Sequence, residues 1–134
     1  MAYNPHDFYF KKAKEKNFVA RSIFKLEEIH ERFDIFKKGY KVLDLGCAPG
    51  SWSQYSSQQI GNQGTLIGID LQPVKITIPN GVFYAGDAFN EEYVQGIIAE
   101  HSIEAFDVVL SDMAPKTTGI RVTDQQRSYD LCVH

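Results

Sequence analysis

KVLDLGCAPGSW, residues Lys41 to Trp52, decides the fold, because it sets a short apolar run directly against a glycine-bearing turn and then opens a helix. Val42, Leu43 and Leu45 read as a buried strand, while Gly46 and Gly50 let the backbone turn tightly and approach a ligand with no Cβ in the way. The stretch is not the dinucleotide fingerprint G-x-G-x-x-G: its middle glycine is replaced, and Pro49 removes a backbone N–H that a pyrophosphate would want. That disfavours a nicotinamide-dependent oxidoreductase. Asp44, at the strand end, suits a ligand carrying positive charge better than one carrying phosphates. S-adenosylmethionine, with a sulfonium and an ammonium, is such a ligand.

Working outward, Ser51 to Ile60 reads as a helix with Trp52, Tyr55 and Ile60 turned inward, ended by the turn GNQG. TLIGID, residues 65–70, is a second apolar strand finishing on Asp70. Strand, loop, helix, strand implies parallel strands whose carboxyl ends lie on one edge of a sheet. Asp70 stands twenty residues after Gly50, where an acid accepts from the ribose hydroxyls of an adenosine; alone it is also a common strand-end turn residue. LQPVKITIPN, residues 71–80, carries two prolines and leaves little room for a crossover helix. GVFYAGD, residues 81–87, is a third strand, ending at Gly86 and Asp87. Asn90 caps a helix whose Glu91 and Glu92 suit the positive end of its dipole, with Tyr93, Val94, Ile97 and Ile98 inward. FDVVLSDMAP, residues 106–115, is the fourth and most hydrophobic strand, and it stops at Asp112. Four strand ends carrying Asp44, Asp70, Asp87 and Asp112 on one edge argue for a site. The remainder reads as a loop through Gly119 and the start of a helix near Asp124.

Upstream of the decisive stretch, residues 1–16 read as a basic arm and residues 17–134 as one domain. Asn17 is a plausible N-cap for a helix whose buried face is Val19, Ile23, Leu26, Ile29 or His30, and Phe33, closed by Gly39. Lys25 falls on the other side, where the plain reading is an exposed lysine paired with Glu28. The net charge of −3 hides an asymmetry: residues 1–41 hold ten Lys/Arg against six Asp/Glu, and residues 42–134 hold four against eleven. A basic front is often a solvated face, but KKAKEK beside Tyr3, Phe8, Tyr9 and Phe10 adds rings that could stack on unpaired bases, so RNA is a candidate partner. No apolar run approaches the length that crosses a membrane, and the start lacks the apolar core of a signal peptide, which points to the cytoplasm. Cys47 and Cys132 form no C-x-x-C and no metal knuckle, so neither a disulfide framework nor a metal is expected.

Together ARSIFKLEEI (20–29), DLGCAPGSWSQ (44–54), the Asp70 and Gly86-Asp87 strand ends and SDMAP (111–115) resemble the FtsJ/RrmJ family of RNA 2′-O-methyltransferases, in order and in spacing. The resemblance covers nearly the whole chain. It implies an α/β fold, the Rossmann-like parallel sheet of S-adenosylmethionine-dependent methyltransferases with helices on both faces. It also implies ribosomal RNA as substrate, a uridine of the 23S species in the best-known bacterial members. Cofactor contacts are implied at Asp44, Gly46, Gly50, Trp52, Asp70, Asp87 and Asp112, with Asp87 accepting from the adenine amino group. The family's Lys-Asp-Lys-Glu set around the target ribose is matched at Lys25 and Asp112, which overturns the plain reading of Lys25.

The second lysine and the glutamate have no counterpart: no Glu follows Glu104, and the one lysine after Asp112 is Lys116, too close to SDMAP. The expectation is therefore a chain lacking the family's C-terminal strands, with VVLSD left as a sheet edge prone to self-association. The alternative to an enzyme is a catalytically inactive module that keeps cofactor or RNA binding alone.

Overall fold

The computed structural model describes residues 23–114, 117–123 and 128–133, with side chains over residues 23–111. The basic arm, its aromatic residues, Asn17 and Val19 lie outside the described residues. Helix α1 (residues 23–33) turns Leu26 fully inward, with Ile29 and Phe33 packed beside it, as the spacing requires. Asp34 ends it in the left-handed region at φ 51°, its N–H donating to His30 O at 2.7 Å. Aspartate tolerates that conformation better than a bulky residue would. Ile35 and Phe36 then drop into the core, a pair that helical periodicity alone passes over.

Strands β1 (Lys41–Leu45), β2 (Thr65–Asp70), β3 (Gly81–Ala85) and β4 (Val108–Ala114) form the parallel part of a sheet, with helix α2 (Ser51–Ile60) after β1 and α3 (Glu91–Glu100) after β3. β5 (Thr117–Thr123) and β6 (Ser128–Val133) extend it antiparallel, giving the order β3-β2-β1-β4-β5-β6. Successive strand residues point to opposite faces. Val42, Leu66, Val108 and Leu110 therefore pack against α1 and α2, and Leu43, Ile67 and Ile69 against α3. The α/β fold with helices on both faces is as the sequence predicts. So is the Asn90 cap, whose side chain accepts the Tyr93 N–H at 3.2 Å.

Three expectations are corrected. The third strand stops at Ala85, two residues short of Asp87. The loop through Gly119 and the helix near Asp124 are replaced by β5 and β6, the latter covering residues 128–133; TTGIRVT carries β-branched residues at most positions, which suit a pleated surface. With β5 paired along β4, VVLSD is not an edge, so the argument for self-association through it falls; β3 and β6 are the outer strands of the described sheet.

Candidate cofactor-binding edge

Parallel register sets the height of each strand end. Leu45 is level with Ile69 on one side and Ser111 on the other, and Asp70 is level with Ala85. Gly46, Asp70, Ala85 and Asp112 therefore stand in one row along the carboxyl edge. Asp44 lies two residues inside that row, and Asp87 two residues beyond it. The four acids share an edge but occupy three depths.

Asp44 is the innermost, 1 % exposed, and accepts the Ser53 hydroxyl at 2.6 Å. This bond ties the first turn of α2 to β1. Burying a carboxylate is costly unless it is hydrogen-bonded, and Ser53, itself fully buried, meets part of that need. Gly46, at φ 78°, gives its N–H to Ile69 O at 2.8 Å, so the β1–β2 ladder runs one residue into the loop. Asp70 then holds the loop itself: Oδ2 accepts the Ala48 N–H at 2.9 Å and Oδ1 the Gln72 N–H at 2.8 Å. Each carboxylate oxygen keeps a second lone pair for a ligand hydroxyl. Gly50, at φ 110°, is the N-cap of α2 and brings no side chain to cap it.

Trp52, on the first turn of α2, is buried in the core cluster that Leu26 of α1 and Val42 and Leu66 of the sheet share. Asp87 is exposed and its Oδ1 accepts the Phe89 N–H at 2.9 Å, closing the turn before α3. Asp112 falls at an irregularity: Ser111 pairs with Gly119 but Ala114 pairs with Thr117, so Asp112 and Met113 share the space opposite Thr118. A bulge of this kind bends a strand and re-aims what it carries. The Asp112 side chain lies outside the described ones.

Lys25 is exposed on α1, beside buried Leu26. The His30 ring of α1 lies 6.3 Å from the Tyr55 ring of α2, so that flank of α1 faces α2. At 100° per residue Lys25 stands roughly 140° from His30, on the side of α1 turned from α2. Burial first, and then the charges of Glu27 and Glu31, raise the Tyr55 hydroxyl's pKa. Within the loop, the Cys47 thiol is pushed up from 9.0 to about 12, first by burial and then by the charges of Asp44 and Asp70. It is a packed, neutral thiol. Among the described residues no cluster of His, Cys, Asp and Glu could hold a metal ion, and no helix is long and apolar enough to cross a membrane.

Sequence reasoning missed two apolar side chains at this edge. Leu71 follows Asp70 and is 72 % exposed; Phe89 follows Asp87 by two and is 69 % exposed. Their signal was proximity to a strand-end acid, which no periodicity rule weighs. Ser53 left no signal, since a hydroxyl nine residues from its carboxylate partner is invisible without the fold.

A sheet with a parallel β1–β4 part, a glycine loop after β1 and carboxylates along the carboxyl edge has the architecture of the doubly wound α/β class. The model of the family described as FtsJ-like methyltransferase matches residues 18–134. The chain belongs to that family. It is 55 % identical to the ribosomal RNA large subunit methyltransferase E of Bdellovibrio bacteriovorus, over 98 % of this chain and 67 % of that protein. To the protein of the same name from Syntrophobacter fumaroxidans it is 47 % identical, over 96 % of this chain and 64 % of the relative. A crystal structure of a ribosomal RNA methyltransferase from Plasmodium falciparum superposes with a TM-score of 0.60 at 27 % identity, over 80 % of this chain and 58 % of that one. The chain thus spans about two thirds of the length of the curated relatives it matches.

Proposed function

We propose that the chain carries the cofactor half of an S-adenosylmethionine-dependent methyltransferase acting on a ribose 2′-oxygen of ribosomal RNA, a uridine of the 23S species, in the cytoplasm. The observation that carries this reading is the row at the carboxyl edge, Gly46 beside Asp70 with Asp112 on the other flank, in a chain of this family. The donor set fits the cofactor. Asp70 offers lone pairs to two ribose hydroxyls, Asp87 faces solvent where an adenine amino group could donate, and exposed Leu71 and Phe89 would shelter a flat apolar ring. Asp44, Gly46, Gly50 and Trp52 would shape the floor, and Asp112 would face the sulfonium end.

Bound there, the cofactor supplies an electrophilic methyl group on a positively charged sulfur. Lys25 and Asp112 would fix the ribose so that its 2′-oxygen lies in line with that methyl group, and such alignment accounts for much of the rate in a displacement of this type. The hydroxyl proton would leave to a base that the residues matched here do not supply, the family's second lysine having no counterpart in this sequence. Phe24, 68 % exposed and next to Lys25, offers a face to an unpaired base. RNA affinity in this reading falls steeply with added salt as lysines release counterions from phosphates; a flat response returns the basic front to a solvated face.

The test is transfer of a labelled methyl group from S-adenosylmethionine to ribosomal RNA or a large ribosomal subunit. Label on a 2′-oxygen supports the enzyme. Uptake of the cofactor with no transfer favours the binding module, and uptake of NAD in its place would remove both readings.

A further inference from the structure

The connection from β2 to β3 takes the place of a crossover helix. Residues 71–80 contain neither helix nor strand, and Val74, Ile76 and Ile78 are half-buried while Pro73, Lys75, Thr77 and Pro79 are exposed. That alternation belongs to an extended segment lying on the protein by one edge. Its inward side chains meet α2 in order. A Cβ built on Gly50 would lie 2.9 Å from both Val74 Cγ1 and Ile76 Cδ1, so these two branched side chains rest on the bare Cα of the helix N-cap. Ile78 packs into the core on the same face. Asn80 Nδ2 donates to Ser57 O and to Gly61 O, each at 2.8 Å, closing the other end of the helix. Ten helical residues span about 15 Å and six extended ones about 20 Å, so one strap reaches from the first turn of α2 to the last.

The root of the strap is Asp70, which holds the Ala48 N–H. The loop from Gly46 to Gly50 is therefore anchored twice by one connection, through a carboxylate on Ala48 and through two methyl-bearing side chains on Gly50. Gly50 sits at φ 110° with no side chain of its own, so its position depends on what leans against it.

We propose that Val74 and Ile76 are positioning residues that hold the glycine loop in its ligand-ready shape, so that cofactor affinity is set from the β2–β3 connection. The affinity half of this rests on the reading of that loop as the S-adenosylmethionine seat. Gly50, in this account, is a glycine in order to admit the strap.

The experiment measures two things on the full chain: calorimetric binding of S-adenosylmethionine, and amide hydrogen exchange at Ala48 to Ser51 without cofactor. The pair Val74→Ala with Ile76→Ala should raise the dissociation constant about tenfold and speed exchange in the loop, with α3 unchanged. Ile76→Val, which keeps a branched side chain, should stay within about twofold of the parent. Ile78→Ala, on the same strap but away from Gly50, should lower the melting temperature and leave the dissociation constant alone. If the double variant fails to fold, Ile76→Ala alone serves, with a smaller loss expected in the same two readouts. Parental affinity and parental loop exchange in these variants would overturn the proposal, as would an Ile78→Ala loss of affinity equal to theirs. Faster loop exchange in a protein whose parent takes up no S-adenosylmethionine would confirm the hold on the loop and remove the cofactor reading instead.

Discussion

The two faces of the sheet are built to different rules. On the α3 face the buried residues are Leu43, Ile67, Ile69, Val94, Ile97 and Ile103, all aliphatic. On the other, β1 and α2 carry Asp44, Ser53, Ser56 and Ser57, the buried polar side chains among the described residues. A polar group taken from water costs free energy unless it is bonded, and the Ser56 hydroxyl has no partner among the described residues. The α3 face thus holds the sheet together by apolar burial. The α2 face gives up some of that stabilisation to fix a strand end, a glycine loop and a helix start with respect to one another.

Substitutions can sharpen that contrast. The largest effect is expected at Lys25: in a version of the protein that transfers methyl groups, Lys25→Ala should reduce the rate about a thousandfold, as loss of the alignment of two reacting atoms does. Its dissociation constant for S-adenosylmethionine should hold within about twofold, and a large loss of affinity would make Lys25 a structural residue. On the opposite face, Ile97→Ala should lower stability by about 3 kcal/mol, read by denaturant unfolding, while the folded protein binds cofactor as before. A matching loss of affinity there would erase the division between faces. Asp70→Ala combines both effects, weakening the cofactor by about 2 kcal/mol in titration calorimetry and leaving the Ala48 and Gln72 N–H groups without their acceptor.

The last effect, absent at neutral pH, is one of alkaline pH. The folded Cys47 thiol keeps its proton to about pH 12 against an ordinary 9.0. Between those values the folded state binds a proton that the unfolded state has lost, so stability declines as pH rises through that window. Below pH 9 both states are protonated and the thiol contributes no slope. Cys47→Ala should remove that part of the alkaline decline in unfolding experiments from pH 8.5 upward. An unchanged slope would mean the thiol ionises without resistance.

Much of the edge was legible because strand ends announce themselves. VLDLG, TLIGID and VVLSD each run from apolar residues into an acid or a glycine, and parallel pairing carries the ends to one side. Depth was not legible. Asp44 reads like Asp70 in sequence, yet register sinks it two residues inside the row, where the Ser53 hydroxyl meets it. In sequence the strap reads only as a segment too short and too proline-rich for a helix, because a contact between Ile76 and Gly50 depends on the path of the chain. β5 and β6 are hidden by a local bias: glycine at 119 and the run TDQQR suggest a loop and a helix start, while β5 pairs along β4 and β6 along β5. Ile35 and Phe36 escaped because they follow a helix end and obey neither periodicity.

The central claim is that the cofactor sits on the carboxyl edge formed by the ends of β1, β2, β3 and β4. Titrating isotope-labelled protein with S-adenosylmethionine and following backbone amide shifts tests it directly. Shifts concentrated at Gly46, Ala48, Asp70 and Asp87, with Ile97 and its neighbours on α3 unmoved, are the predicted result. Saturable shifts centred on α3 or on the amino ends of the strands, or none at all, would contradict it.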